Sequence, residues 1–187
     1  MYQKFSRKHW DVFSLYIIPL FTIIFACADG WLTSNFSAIS YTKDRQLLFL
    51  ILGFLLAWFF NSYIWYLFKK ANYKGKLGIS LLQAATLSLV LAVLTPYLPG
   101  TQQAKIHFIF AFCSPFLLLL SILCFQVHLE GINKVKFKRA RFELAFMVLV
   151  SFILLILVGF VSSLLEIFVC ISICFYLRET HKRIESE

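Results

Sequence analysis

The feature that most constrains this chain is a series of long apolar runs separated by short polar segments. A helix needs about 20 apolar residues to cross a hydrocarbon core about 30 Å thick, and most of the runs are near that length. With 60% hydrophobic and 14% charged residues, the chain is much more apolar than a soluble domain. The composition therefore predicts one transmembrane domain over residues 1–187, with no room for a separate soluble catalytic domain.

The apolar runs predict six transmembrane helices. The predicted spans are residues 12–32, 46–68, 77–95, 106–127, 144–161 and 162–177. The last two spans share one apolar block, which is broken by Gly159, Ser162 and Ser163. As one helix at about 1.5 Å per residue this block would measure roughly 50 Å, which is too long for a single crossing. A hairpin of two short spans fits the length better.

The basic residues fall mainly in alternate connections between the predicted spans. One set of connections holds 15 of the 18 basic residues: Lys4, Arg7, Lys8, Lys69, Lys70, Lys74, Lys76, Lys134, Lys136, Lys138, Arg139, Arg141, Arg178, Lys182 and Arg183. Only Lys43, Arg45 and Lys105 fall in the other set. Cytoplasmic loops carry the excess of Lys and Arg. The split therefore predicts an all-α polytopic membrane protein, a six-transmembrane-helix bundle with both the N and the C terminus in the cytoplasm.

The net charge of +9 indicates anionic lipid headgroups as partners rather than nucleic acid. The basic residues are scattered over short juxtamembrane segments, with no nucleic-acid-binding module between them. One of these segments, residues 133–141, mixes positive charges with Val135 and Phe137, which suggests contact with anionic lipid at the cytoplasmic surface. Simple topological anchoring is the alternative explanation. The five cysteines lie in apolar runs without metal-ligand spacing, so they are interpreted as small buried residues.

Stripes of small and polar residues predict which helix faces pack inside the bundle, because lipid provides no hydrophobic drive between helices. Such stripes occur on the second, third and fourth spans, and their members are Gly53, Ala57 and Asn61; Ser80, Ala84, Ser88 and Ala92; and His107, Ala111, Ser114 and Ser121. Pro115 cannot donate to the carbonyl of Ala111, which predicts a kink in the fourth span.

A polar cluster at the extracytoplasmic ends of the spans is the candidate site. The ligand-binding residues predicted there are Asp29, Asn35, Ser37, Ser40, Arg45, His107 and Glu166. Ionisable groups at the edge of the hydrocarbon are costly unless they are paired or hydrated, and they therefore suggest function. Anchoring at the interface is the alternative explanation. We expect His107 to face Asp29 or Glu166 across a polar pocket roofed by residues 37–40.

The cluster has no recognisable catalytic motif. His107 has carboxylates to orient it, but no serine or cysteine lies in a nucleophile motif. Cys113 follows His107 by six residues, or about 600° of helical rotation, so the two side chains project in different directions. One histidine with two distant carboxylates is also a weak metal signature. We therefore expect a non-enzymatic protein with no catalytic residues, no metal and no other cofactor.

Several short patterns resemble the six-helix damage-regulated autophagy modulator superfamily and related bacterial membrane proteins of unknown function. The patterns are Ser37-Ala38-Ile39-Ser40, then Arg45 and Phe49, then Leu94-Thr95-Pro96-Tyr97-Leu98-Pro99, and then His107 with Ala111 and Phe112. The resemblance covers roughly residues 31–112 and leaves the last two spans unmatched. It implies a six-helix fold with cytoplasmic termini and a conspicuous extracytoplasmic loop and histidine, but it implies no catalytic role for any residue.

Three classes of function follow from these observations. The leading hypothesis is a non-enzymatic protein of a bacterial-type plasma membrane, whose extracytoplasmic pocket binds a lipid headgroup, an amphiphile or a partner protein in the membrane. The second is a substrate-binding subunit of a small-solute uptake transporter. Small six-helix subunits of this kind serve energy-coupling vitamin transporters, but their Ala-x-x-x-Ala pattern is not clear here, where Ala26 and Ala28 are two residues apart. The third is an intramembrane hydrolase.

Overall fold

A computed structural model describes residues 7–42 and 45–186. The part of the chain that it describes is helical and contains no strand. Lys4 and Lys43, which entered the charge argument, lie outside the described residues.

The described residues form seven helices. They are α1 (Arg7–Ala26), α2 (Phe36–Thr42), α3 (Gln46–Lys70), α4 (Lys76–Leu94), α5 (Gln102–Ile132), α6 (Lys134–Val158) and α7 (Ser163–Glu185). A π-helical turn at Phe13–Ile17 interrupts the α-helical pattern of α1. Five of the helices, α1, α3, α4, α5 and α6, are long and apolar enough to cross a membrane. The all-α fold and the presence of transmembrane helices are therefore confirmed.

The last helix differs from these five because charged residues limit its apolar part. Glu166 lies in the first turn of α7, and Arg178 and Glu179 follow the apolar stretch of residues 167–177. At about 1.5 Å per residue this stretch measures roughly 16 Å, about half the thickness of a hydrocarbon core. The sixth span therefore stays a prediction.

Two segments that the sequence assigned to connections are helical. The basic segment after Asn133 forms the first two turns of α6, and Asn133 caps them by accepting the Lys136 N–H at 3.0 Å. Residues 36–42 form α2, which Asn35 caps by accepting the Ala38 N–H at 2.8 Å. Asparagine is a preferred N-cap residue because its side-chain oxygen satisfies an N–H of the first turn.

The long apolar block ends its first helix at Val158. Gly159 follows with a φ of +81°, a conformation that glycine adopts without steric cost. Ser162 then caps α7, since its hydroxyl accepts the Leu165 N–H. The break in the apolar block therefore lies at Gly159 and Ser162, as the sequence predicted.

The chain divides into two compact units, of which the first comprises Met1–Ile39 and Arg139–Glu187. In this unit Asp11 and Arg178 join the start of α1 to the end of α7, with 2.8 Å between Oδ1 and Nε. At the opposite ends, the Leu164 N–H of α7 donates to the Trp31 carbonyl at 3.0 Å, shortly after α1 has ended. Helices α1 and α7 therefore run antiparallel.

The second unit, Ser40–Lys138, contains α3, α4 and α5. Four polar side chains at intervals of seven residues, called here the heptad ladder, join α5 to backbone carbonyls of residues that are also seven apart. His107 Nδ1 contacts Ala92 O at 2.8 Å, Ser114 donates to Ala85 O at 3.1 Å, Ser121 donates to Gly78 O at 2.7 Å, and His128 Nε2 contacts Ala71 O at 3.1 Å. A seven-residue interval on both partners is the packing period of a coiled coil.

The acceptors of the heptad ladder are all small residues, which lets the two backbones approach closely. On the neighbouring helix α3, Gly53 has the same role, because a Cβ there would lie 2.2 Å from Val93 Cγ2. The stripe expected on α4 is wrong at Ser80 and Ala84, since both are exposed. The α4 face that packs is instead marked by the carbonyl partners of the heptad ladder.

The stripes expected on α3 and α5 agree better with the structure. Gly53 and Ala57 are buried on α3, and His107, Ser114 and Ser121 are buried on α5. Pro115 lies inside α5, and its effect on the helix axis stays a prediction.

We expect Ser121→Ala to lower the free energy of unfolding by about 0.5–1.5 kcal/mol, because it removes one rung of the heptad ladder. Reversible denaturation in mixed micelles measures this change. Ser80→Ala is the matched control, since Ser80 is exposed on α4. Equal effects of the two substitutions would contradict a stabilising role for the rung.

Candidate functional site

Glu166 and Asn35, two of the predicted site residues, both serve the start of α2 in the first unit. Glu166 Oε2 accepts the Phe36 N–H at 2.7 Å, and Asn35 Oδ1 accepts the Ala38 N–H at 2.8 Å. The first N–H groups of a helix have no partner inside the helix. The carboxylate of Glu166 therefore links α7 to α2 by satisfying one of these donors.

The segment between α1 and α2 in turn satisfies the start of α7. Ser34 O accepts both the Ser163 N–H at 2.7 Å and the Ser163 hydroxyl at 3.0 Å. Ser34, Ser162 and Ser163 are all buried. Each of the two helix starts is thus held by residues next to the other, which gives Glu166 a structural explanation.

Two further predicted residues of the first unit, Asp29 and Ser37, lie in the turn after α1 and in the first turn of α2. Asp29 Oδ1 accepts the N–H of Gly30 at 2.9 Å, a contact within the turn that follows α1. Ser37 is half-buried in the first turn of α2. The structure brings Asn35 and Glu166 together at the start of α2, with Ser37 one residue beyond the amide that Glu166 binds.

His107 is the most enclosed of the predicted residues, with 2% of its surface exposed. Its Nδ1 lies 2.8 Å from the carbonyl oxygens of both Ala92 and Thr95. Because both partners can only accept, this nitrogen carries the proton. The ring also lies 5.6 Å from the Tyr97 ring and 6.3 Å from the Phe49 ring, measured between centroids.

A pocket of about 200 Å³ lies next to these two aromatic rings, within the second unit. It is lined by Ser40, Tyr41, Gln46, Phe49, Leu50 and residues 93–98. Among the residues that the structure describes, none with a formally charged side chain lines it. Arg45 lies beside the pocket, since its N–H donates to the carbonyl of the lining residue Ser40 at 3.1 Å. The pocket combines hydrogen-bonding groups with an apolar wall.

The predicted residues therefore fall in two places. Ser40, Arg45 and His107 lie in or beside the pocket of the second unit, whereas Asp29, Asn35, Ser37 and Glu166 belong to the first unit. The pairing of His107 with Asp29 or Glu166 stays a prediction. Residues 37–40, which were expected to form a roofing loop, are helical, and Ser40 among them lines the pocket.

Sequence reasoning missed the walls of this pocket. Phe49 and residues 95–98 were named only as part of the family resemblance, and no role in a pocket was predicted for them. The two prolines in Leu94-Thr95-Pro96-Tyr97-Leu98-Pro99 are a usable signal, because proline cannot continue a helix. They predict that α4 ends here and that a non-helical segment with bulky side chains follows it.

A cluster of ion pairs in the first unit was also missed. It joins the starts of α1 and α6 to the end of α7 through Arg7, Asp11, Arg139, Glu143, Arg178, Glu179, His181, Lys182, Arg183 and Glu185. Arg183 contacts both oxygens of Glu143, at 2.6 and 2.9 Å. The spacing of four residues between Arg7 and Asp11, and between Arg139 and Glu143, was an available signal.

The cluster changes the acidity of one carboxyl group. Burial raises the pKa of Glu179, but the hydrogen bond from Lys182 and the charges of Lys182, Arg178 and Arg183 outweigh it, so the pKa is lowered from 4.5. A lowered pKa stabilises the folded state above the ordinary value, and this contribution is lost as pH falls through the lowered value. The Glu179 carboxyl group is therefore ionised at neutral pH, where it pairs with Arg178 and Lys182.

The groups described at the site are suited to forming hydrogen bonds. His107 uses its Nδ1 proton to hold backbone carbonyls, and the pocket beside it contributes hydroxyl, amide and carbonyl groups. Within residues 7–42 and 45–186, no group of three or more His, Cys, Asp or Glu residues is arranged to hold a metal ion.

Comparison with known proteins adds no relative to this description. No family model, no curated protein and no solved structure matches the chain. The fold defines a helical protein with several candidate membrane spans, and the resemblance to the damage-regulated autophagy modulator superfamily stays a prediction.

We expect Glu166→Ala to speed amide hydrogen exchange at Phe36 by about fivefold, because losing one side-chain cap costs about 1 kcal/mol. Glu166→Gln is the control, since its amide oxygen still accepts the Phe36 N–H. Exchange measured residue by residue in micelles tests the pair. Unchanged protection in Glu166→Ala would show that the carboxylate does not hold the start of α2.

Proposed function

We propose that the chain is a multi-pass, non-enzymatic protein of a plasma membrane that binds a membrane amphiphile in the pocket beside His107. The observation that carries this proposal is the pocket itself, where Ser40, Tyr41 and Gln46 provide hydrogen-bonding groups and Phe49 and Leu50 provide apolar surface. Few precise polar groups in a mainly apolar concavity are typical of small-molecule sites.

The size of the pocket supports a ligand that is only partly enclosed. At about 200 Å³ it is somewhat larger than a cavity of about 150 Å³ that takes benzene, and smaller than the roughly 300–1,000 Å³ of sites that enclose a drug-sized molecule. One end of an amphiphile fits this volume. Leu94, which lines the pocket, is 57% exposed, so the rest of the molecule has an apolar surface to follow.

The uncharged lining supports a neutral polar head. A buried ionised group needs a partner of opposite charge, and the described lining offers hydroxyl, amide and carbonyl groups instead. We therefore propose a lipid whose head presents hydroxyl and ester oxygens, of which diacylglycerol is a suitable probe.

We further propose a six-span topology with both termini in the cytoplasm. The charge split supports it, because 15 of 18 basic residues would then lie on the cytoplasmic side. The antiparallel arrangement of α1 and α7 supports it as well, since Arg7 and Glu185 approach to 3.3 Å near the two ends of the chain. Glu166 would lie at the extracytoplasmic edge, where its bond to the Phe36 N–H offsets part of its burial cost.

The cytoplasmic partner in this proposal is anionic lipid. The first turns of α6 present Lys138 and Arg139 to solvent beside Val135, which is 87% exposed. Basic residues near an anionic surface contribute about 1 kcal/mol each, and an adjacent apolar side chain adds insertion into the interface.

Cysteine labelling in intact cells tests the topology, in a Cys27→Ala background because Cys27 is the exposed native thiol. Thr101→Cys and Asn133→Cys place thiols at exposed helix ends. We expect an impermeant maleimide to label Thr101→Cys directly and Asn133→Cys only after permeabilisation. Labelling of Asn133→Cys in intact cells would overturn the proposed arrangement.

Native mass spectrometry with added diacylglycerol and phosphatidylglycerol tests the ligand. We expect Leu50→Trp, which fills the pocket, to reduce the bound diacylglycerol by about tenfold, the effect of losing roughly 1.4 kcal/mol of affinity. Leu47→Trp is the matched control, because Leu47 is 69% exposed on the same helix and does not line the pocket.

The two lipids distinguish the two proposed surfaces. Phosphatidylglycerol held by basic residues should dissociate at high salt in both variants, because such contacts are screened. Equal diacylglycerol binding by Leu50→Trp and Leu47→Trp would contradict the pocket. Co-purification of a water-soluble small molecule in place of lipid would contradict the ligand class and favour an uptake subunit.

A further inference from the structure

The first rung of the heptad ladder differs from the others in contacting two carbonyls. Ser114 and Ser121 each donate to one carbonyl inside α4. His107 Nδ1 instead lies 2.8 Å from Ala92 O, inside α4, and 2.8 Å from Thr95 O, the residue that ends the helix. One imidazole therefore joins α5 both to α4 and to the segment that leaves α4.

The segment that leaves α4 forms one wall of the pocket. Thr95 is extended, with φ of −89° and ψ of 115°, and the next residue is Pro96. Proline has no N–H, and it disfavours helical geometry in the residue before it, so the helix cannot continue. Pro99 removes a second donor. Residues 95–98 thus lie beyond the end of α4 and are not held by its helical hydrogen bonds.

The imidazole also lies close to two aromatic residues that line the pocket. The centroid of its ring lies 5.6 Å from that of Tyr97 and 6.3 Å from that of Phe49. His107 does not itself line the pocket. His107 can therefore affect the pocket only through the positions of lining residues such as Tyr97 and Phe49.

We infer that His107 is a positioning residue for the amphiphile pocket, which it holds open by fixing the Thr95 carbonyl through Nδ1–H. This inference rests on the proposed function for its ligand, but the positioning itself is measurable without a ligand. Nδ1 is the donor in these contacts, because a carbonyl oxygen can only accept.

Three substitutions at one position separate the hydrogen bond from the ring. His107→Leu removes both, and His107→Phe keeps an aromatic ring but has no donor. His107→Asn restores an N–H near the position of Nδ1. Ser121→Ala is the control for general destabilisation, because it removes another rung of the heptad ladder that lies 14 residues away along α5.

Two readouts are needed: bound diacylglycerol by native mass spectrometry, and amide hydrogen exchange without added lipid at Thr95, whose N–H donates to the carbonyls of Leu91 and Ala92. We expect His107→Leu and His107→Phe to lower lipid binding and to speed exchange by about fivefold each, as expected from losing one buried hydrogen bond. His107→Asn should stay near the wild type in both readouts. Ser121→Ala should lower the melting temperature yet leave both readouts unchanged.

The outcomes separate failure of this inference from failure of the proposed function. If the wild type binds no diacylglycerol, the proposed function fails, and exchange at Thr95 still tests the positioning. If His107→Leu does not fold, His107→Phe supplies the donor-free comparison. Unchanged exchange at Thr95 in the donor-free variant would overturn the inference. Faster exchange with undiminished lipid binding would overturn it too, because the wall would then move without affecting the pocket.

Discussion

The second unit depends on side-chain hydrogen bonds that reach backbone carbonyls from a neighbouring helix. In lipid there is no water to satisfy a buried hydroxyl or imidazole, so each such group must find an acceptor inside the protein. On α5 the interval of seven residues gives Ser114 and Ser121 the same kind of neighbour on α4, namely a carbonyl of a small residue. The same requirement joins His107 to Thr95, the residue that ends α4 and lines the pocket.

The first unit satisfies the same requirement at the helix ends. At one end, carbonyls of the segment after α1 accept the free N–H groups at the start of α7, and Glu166 accepts one at the start of α2. At the other end, carboxylates and guanidinium groups such as Asp11 and Arg178 pair with each other. At the end where α2 and α7 start, backbone N–H groups are therefore satisfied mainly by backbone carbonyls and by Glu166. The ionised residues gather where water or headgroups are within reach.

The sequence predicted the helical class and the five apolar helices well, because hydropathy over about 20 residues is a strong signal. It also placed His107, Ser114 and Ser121 on one face, because residues seven apart lie on the same side of a helix. It missed the helical start of α6, where Lys, Arg and Ala are good helix formers and Asn133 provides the cap. It did not identify the Ala92 and Thr95 carbonyls that lie beside His107 Nδ1. A backbone acceptor leaves no trace in the residue types, so composition alone could not identify it.

The use of two residue types in the heptad ladder has a geometric reason. Ser114 and Ser121 face carbonyls within α4, where the backbone is regular and a short hydroxyl reaches one acceptor. His107 and His128 face the places where a helix stops, since Thr95 is the cap residue of α4 and Ala71 that of α3. A carbonyl at a helix end lacks the N–H four residues later that would normally satisfy it. It also lies farther from the regular backbone, where the longer imidazole can reach it. Histidine at both ends and serine between them therefore follow from where the neighbouring helices end.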